Sequence, residues 1–526
     1  MRQRLSTFLL AATIACAPMA SHAFETSNGK RILVIGGQQA VSVMDPAQKY
    51  DLSIRTIQQA TYDALLKYEG DPPELKPWLA TSWLSNADAS EWTFKLDPRA
   101  RFQNGDPVDA AAVKASFERT LKLNKGPAWM YADFLKPENI VVDDPQTIRF
   151  KLTRPYAAFL GLMPWWYIVN VKQAMEHEQN GDYGQQWLTE HTAGSGPFRV
   201  KRVEPNSLYE LETWNDYWKG WSQPEKARLG GIIYRVITEN SSRRAALARG
   251  EIDIAASLSP EDIDQLSSVK GVKIGRKPGM GGFGLKFNTQ GKYMSDLNLR
   301  RALAYAFDYE SLLKIYNGKA RLMESPFSPS VQGYMAMPEM PRRDMERARQ
   351  YLAKSKWPQG GIELEYVYVQ GLEEERQMGL LLIDNLKPLG VGVRMVPLTW
   401  PNMVARGAKA ETSPDIFASF TSVMSIDPDS VAYMYHKGSW GQYYGTHFLN
   451  DPELFALIER ARTLSAWSER KPLYEDIQRR IVAAQPEIFG MIRDRTTASR
   501  DYVQGLVDSP IRMASEFDLY PLYIGR

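Results

Sequence analysis

The sequence has one cysteine, Cys16, and five histidines in 526 residues. A chain of this size cannot rest on disulfides, and thiolate zinc sites are excluded. It also lacks an excess of either charge, since 64 Lys and Arg stand against 61 Asp and Glu. No basic block marks a nucleic-acid-binding face. No apolar run reaches the ~20 residues that span a bilayer, which excludes a polytopic membrane protein. With 44% hydrophobic and 24% charged residues the composition is that of a globular protein. At roughly 100–200 residues per domain, the length implies two large units or about three smaller ones.

What is present begins with an export signal. Arg2 and Arg4 precede the apolar stretch Leu5 to Cys16, Pro18 breaks it, and Ser21-His22-Ala23 places small residues where a signal peptidase cuts. Residues 1–23 therefore read as a signal peptide, and the mature chain is expected in the periplasm. Thr13-Ile14-Ala15-Cys16 faintly resembles a lipoprotein site, but Thr at its start, where Leu is usual, favours export without a lipid. Cleavage removes two basic residues, no acid and the sole thiol.

Beyond Ala23 the pattern alternates between strand and helix. Arg31 to Ile35 is an apolar run stopped by Gly36-Gly37, a buried strand. Ser53 to Leu66 has helical spacing, and Glu91 to Leu96 and Thr147 to Leu152 alternate as half-buried strands. Asp109 is placed to cap a helix from Ala110 to Leu121, and Gly250 to end one from Ser241 to Arg249. Further on come the strand Ile362 to Val369, the helix Glu374 to Leu386 and the strand Val391 to Val396. This βαβ succession predicts α/β lobes with a parallel or mixed sheet.

Familiar chemistry is largely missing. Gly279 to Gly284 has G-x-G-x-x-G spacing, but Pro278 precedes it and Leu285 to Asn288 alternates like a strand. A dinucleotide site needs a strand before the turn and a helix after it; the segment reads instead as a flexible turn. His177, His191, His436 and His447 do not pair at metal-ligand spacing, so no metal and no cofactor are expected. His436 and His447 share an aromatic-rich segment and read as hydrogen-bonded residues rather than ligands to a metal complex. No G-x-S-x-G and no P-loop occurs, and enzymatic activity is not expected.

Several ordered segments resemble the large periplasmic solute-binding proteins of the peptide/nickel family (family 5), which serve ABC importers. They are Ala80-Thr81-Ser82-Trp83, Trp92 to Leu96, Phe102 to Val108, Val113 to Phe117, Gly194-Ser195-Gly196-Pro197-Phe198 and Trp214 to Trp218. Leu247 to Ile254, Leu299 to Asp308 and Leu386 to Val393 continue the likeness. The resemblance implies a Venus-flytrap α/β fold, in which two lobes clasp a ligand and an extra lobe is appended. In order of elements, lobe I takes residues 24–60, 195–276 and 490–526, appended lobe II takes 61–194, and lobe III takes 277–489. The crossings between clasping lobes are expected near Lys277 to Phe287 and Gln485 to Met491, with the ligand between lobes I and III.

The resemblance also places candidate ligand contacts. Trp400 follows a strand where family members present a Trp to the cleft, a core position being the alternative. Trp165 with Trp166 and Tyr167, and Trp440 with Tyr443 and Tyr444, add aromatic density, and Gln370 and Ser425 join the set. Peptide-binding members carry an Asp four residues before the Pro of a D-P motif, where it anchors the peptide ammonium. Counting back from Pro428 places Met424 there, with Asp427 as a possible substitute. Burying an unpartnered ammonium costs several kcal/mol, so free α-amino peptides are expected to be poor ligands. The implied partners are an ABC permease and a small solute: a glycoside, an opine-like conjugate, a modified peptide or a metal chelate. The protein itself is expected to act as a monomer. A secreted glycoside hydrolase and a sensor or chaperone of the same fold are the alternatives.

Overall fold

The computed structural model describes residues 26–27, 29–38, 43–49, 54–421, 423–507, 509–512 and 516–525. The export signal and Cys16 lie outside these. Among the described residues no helix is long and apolar enough to cross a membrane.

A twelve-stranded mixed sheet runs through the molecule. In its first half Lys30–Gly37 lies parallel to both Gly231–Val236 and Ile254–Ala255. Leu208–Thr213 and Phe198–Glu204 extend that half antiparallel to its edge. In the second half Ile362–Val369 pairs in parallel with Val391–Leu398 and Ile416–Phe420, the geometry a βαβ unit dictates. Ile362, Leu364, Tyr366 and Tyr368 alternate into one core face, beneath helices Leu297–Ala306 and Glu373–Leu386.

Two long antiparallel strands, Val272–Phe287 and Glu487–Arg500, join the halves. Their pairing slips between Pro278 and Gly282 and again between Phe283 and Gly284. The glycine-rich run is therefore extended strand with irregular register, not the turn its composition suggests. Close approach explains two of its glycines. A Cβ on Gly279 would sit 2.5 Å from the Arg493 carbonyl oxygen, and one on Gly284 would sit 2.4 Å from the Glu487 carboxylate. That carboxylate is buried and takes the Lys286 ammonium at 2.9 Å and the Tyr435 hydroxyl.

A separate four-stranded antiparallel sheet of Ala80–Ser85, Glu91–Leu96, Thr147–Lys151 and Ile140–Asp144 packs on the helix Ala110–Leu123. Asp109 caps that helix through the Ala112 amide at 2.9 Å, as its spacing predicts. Phe117 stacks on Trp166 at 3.8 Å, fixing this Trp in the core.

The helix expected from Ser53 to Leu66 is confined to Arg55–Thr61, because Asp63 turns inward and Leu66–Glu69 pairs with Glu74–Pro77. The buried Asp63 carboxylate accepts from Trp78 Nε1 (2.7 Å), Ser195 Oγ, Tyr217 OH and Trp218 Nε1 (each 2.9 Å). Burial pushes its pKa up while the four donors pull it down. Gly194 and Gly196 bring their turn against the Thr61 backbone, where a Cβ would lie 2.0 Å from its oxygen or 2.5 Å from its carbonyl carbon. Two of the sequence motifs, the Gly-Ser-Gly-Pro-Phe turn and the Tyr217-Trp218 pair, thus meet at one buried acid.

Candidate functional site

The parallel strands of the second half all end on one edge of the sheet, the position where ligands meet α/β sheets. Gln370 follows Val369 and donates its amide to the Leu398 carbonyl at 2.7 Å. Trp400 opens the helix Trp400–Arg406 after the next strand and is 44% exposed, unusual for a Trp in a packed lobe. Tyr443 meets it edge-on at 5.3 Å. Leu372, 39% exposed, extends the apolar surface at the neighbouring loop. Thr421 leaves the third strand, its amide bonded to the Gly282 carbonyl at 2.7 Å.

The Gln370 loop is held from below. Glu375, in the first helical turn, is buried and accepts the Val369 amide at 2.8 Å. Burial lifts its pKa from 4.5 to about 7, which the Val369 hydrogen bond partly offsets.

The segment 423–430 forms a second group. Trp165 is buried and donates Nε1 to the Met424 carbonyl at 2.6 Å. The Arg55 guanidinium lies 3.9 Å over its ring. Ser425 is buried, with its Oγ 3.0 Å from the Tyr68 hydroxyl, and Gly161 leaves room for it. Asp427 gives both oxygens to Arg470, each at 2.8 Å. Asp429 is buried with Arg462 at 3.2 Å and the Tyr156 hydroxyl at 3.0 Å. The role of substitute ammonium anchor suggested for Asp427 meets this geometry: a bidentate guanidinium already occupies the carboxylate.

The structure thus pairs Trp400 with Tyr443, Trp165 with the Met424 carbonyl, and Ser425 with Tyr68. Trp440 is directed elsewhere, half-buried against Phe448 and Phe455. His447 is enclosed, its Nε2 2.9 Å from the Met434 carbonyl and its Nδ1 accepting the Leu449 amide. His436 packs on Tyr433. Among the described residues no group of His, Cys, Asp and Glu could hold a metal ion. Sequence reasoning missed Tyr68 and Arg470. Arg470 lies 43 residues from the acid it clamps, and no local pattern links the two.

Comparison with known proteins agrees with this architecture. The model for bacterial extracellular solute-binding proteins, family 5 (middle), matches residues 74–444. The probable D,D-dipeptide-binding periplasmic protein of Escherichia coli K12 is 27% identical over 491 residues, 92% of each chain. A Helicobacter pylori periplasmic binding protein solved with the peptide STSA superposes with a TM-score of 0.79 at 23% identity, covering 94% of this chain and 98% of that one. An Agrobacterium protein solved with agropinic acid gives 0.78 at 22%, covering 94% and 99%.

The fold and the matched segments define a periplasmic binding protein of the Venus-flytrap class. The chain belongs to the family 5 bacterial extracellular solute-binding proteins, the solute-binding components of ABC importers. The hydrolase and sensor alternatives draw no support from these matches.

Proposed function

We propose that the protein captures a compact peptide-derived solute in the periplasm, without recognising a free α-ammonium, and hands it unchanged to its permease. The single observation that carries this reading is the state of segment 423–430. Met424 stands where a carboxylate would be needed, and both acids that follow are engaged by Arg470 and Arg462. A solute with a free amine would bury that charge against a thioether. The D,D-dipeptide and agropinic acid named for two similar proteins are small amino-acid-derived solutes; a dipeptide carries a free amine, so the exclusion of that amine rests on segment 423–430 alone.

Binding proceeds by closure. The two halves swing about the interrupted pairing at Pro278–Gly282 and Ile492–Asp494, a short span that absorbs backbone rotation while the flanking ladders stay intact. This favours a second crossing slightly later than Gln485–Met491. Calorimetry with Ala-Ala and N-acetyl-Ala-Ala tests the ligand reading. We expect the acetylated peptide to bind at least tenfold more tightly. Preference for the free amine overturns the reading, and recovery of chemically altered peptide overturns the absence of catalysis.

A further inference from the structure

Arg493 stands out among the charged side chains near the strand ends. It lies on the long strand Glu487–Arg500, opposite Ala320 of the short strand Ala320–Leu322. Its neighbours Ile492 and Asp494 mark the two sides of the interrupted pairing. Its guanidinium is half-buried and sits 5.0 Å over the ring of Phe420, the residue that ends its strand beside Thr421. Among the described residues it makes no ion pair and no side-chain hydrogen bond. The buried Arg462 and Arg470 differ in this respect, each clamped on an aspartate.

A second group beside it has unused capacity. The Tyr316 hydroxyl is buried and makes no hydrogen bond among the described residues. Arg493, Glu374 and Glu375 all act electrostatically on this phenol, the guanidinium lowering its pKa and the two acids of the first turn of Glu373–Leu386 raising it. Glu375 is committed to Val369, and Glu373 to Arg376. A guanidinium presents five donors in a planar fork that matches a carboxylate. Stacked over Phe420 and partly withdrawn from water, it keeps that fork oriented, and an anion there meets less screening than at the surface.

We infer that Arg493 receives a carboxylate of the bound solute at the foot of the cleft, beside the ends of the parallel strands. The inference rests on the peptide-derived reading above and adds the end of the solute that is recognised. Met424 removes the charge pairing at the amino end, and Arg493 supplies it at the acid end.

The test uses the mature protein and a tryptic peptone with its amines acetylated, supplied either without further treatment or with its carboxylates methyl-esterified. Solutes retained by wild type, Arg493→Gln and Arg493→Lys are identified by mass spectrometry, with urea midpoints recorded for each variant. Wild type should retain acid-bearing solutes at least tenfold more strongly than their esters. Arg493→Gln should retain both forms equally, and Arg493→Lys should keep part of the preference. A merely structural arginine would lower retention of both forms together and leave the ratio unchanged, and that result overturns the inference. Retained solutes that survive esterification in wild type also overturn it, leaving the peptide-derived reading intact. Retention of nothing from either preparation overturns that reading and the inference with it.

Discussion

Two buried groups in the second half of the sheet should pull stability in opposite directions with pH. Burial lifts Glu375 from 4.5 to about 7. Burial, with Lys286 adding to it, holds His447 down from 6.5 to about 3. Between pH 4.5 and 7 the folded chain keeps a proton on Glu375 that the unfolded chain has lost, so stability falls as pH rises. Between pH 3 and 6.5 the unfolded chain holds a proton on His447 that the folded chain refuses, so stability rises with pH. Each slope is ~1.4 kcal/mol per pH unit. The two contributions therefore nearly cancel from pH 4.5 to 6.5, and single substitutions should expose them. Glu375→Gln, which keeps an acceptor for the Val369 amide, should gain about 3 kcal/mol relative to wild type on going from pH 4.5 to 6.5. His447→Gln should lose about the same amount over that interval, on top of a constant cost of ~1 kcal/mol for each lost hydrogen bond. Urea denaturation at half-unit pH steps reads both, and the double variant should run parallel to wild type. Single-variant curves parallel to wild type would refute the reasoning.

Asp63→Ala should strip four donors, three of them on buried residues, of their shared acceptor and cost roughly 3–5 kcal/mol in urea unfolding; a loss below about 1 kcal/mol would show that the node does not hold the motifs together. Trp400→Ala should weaken N-acetylated peptone solutes by at least tenfold in competition binding and leave the urea midpoint unchanged, because its ring is already partly exposed. Arg470→Met should destabilise by ~3–5 kcal/mol by stranding Asp427, and a second change, Asp427→Asn, should restore most of it. Equal stability of the single and double variants would mean that the pair is not coupled.

Much of the scaffold was legible in the sequence because its signals are local. Alternation in Glu91–Leu96 and the Asp109 and Gly250 caps act within a few residues, and the structure uses them as read. Where a distant partner decides, the sequence misled. The Ser53–Leu66 periodicity continues past Thr61, yet Asp63 is drawn to donors as far away as Trp218. The glycines from Gly279 to Gly284 look like a loop because nothing local shows that Arg493 and Glu487 press against them. At the candidate site, the resemblance singles out Trp400 after a strand, and the structure leaves its ring partly exposed. Trp165 and Trp440 could not be sorted by sequence, since adjacent aromatics give no clue to which side of a lobe they face.

The long strands Val272–Phe287 and Glu487–Arg500 also bear on how the chain is made. Lys286 and Glu487 are 201 positions apart, so the middle of the sheet stays open until almost the whole polypeptide has emerged. Contacts so distant along the chain form late and slowly, which leaves a nascent exported chain threadable while it crosses the inner membrane. A chain ending at residue 486 should accordingly remain protease-sensitive, and compact, protease-resistant behaviour of that fragment would show that its first half folds alone.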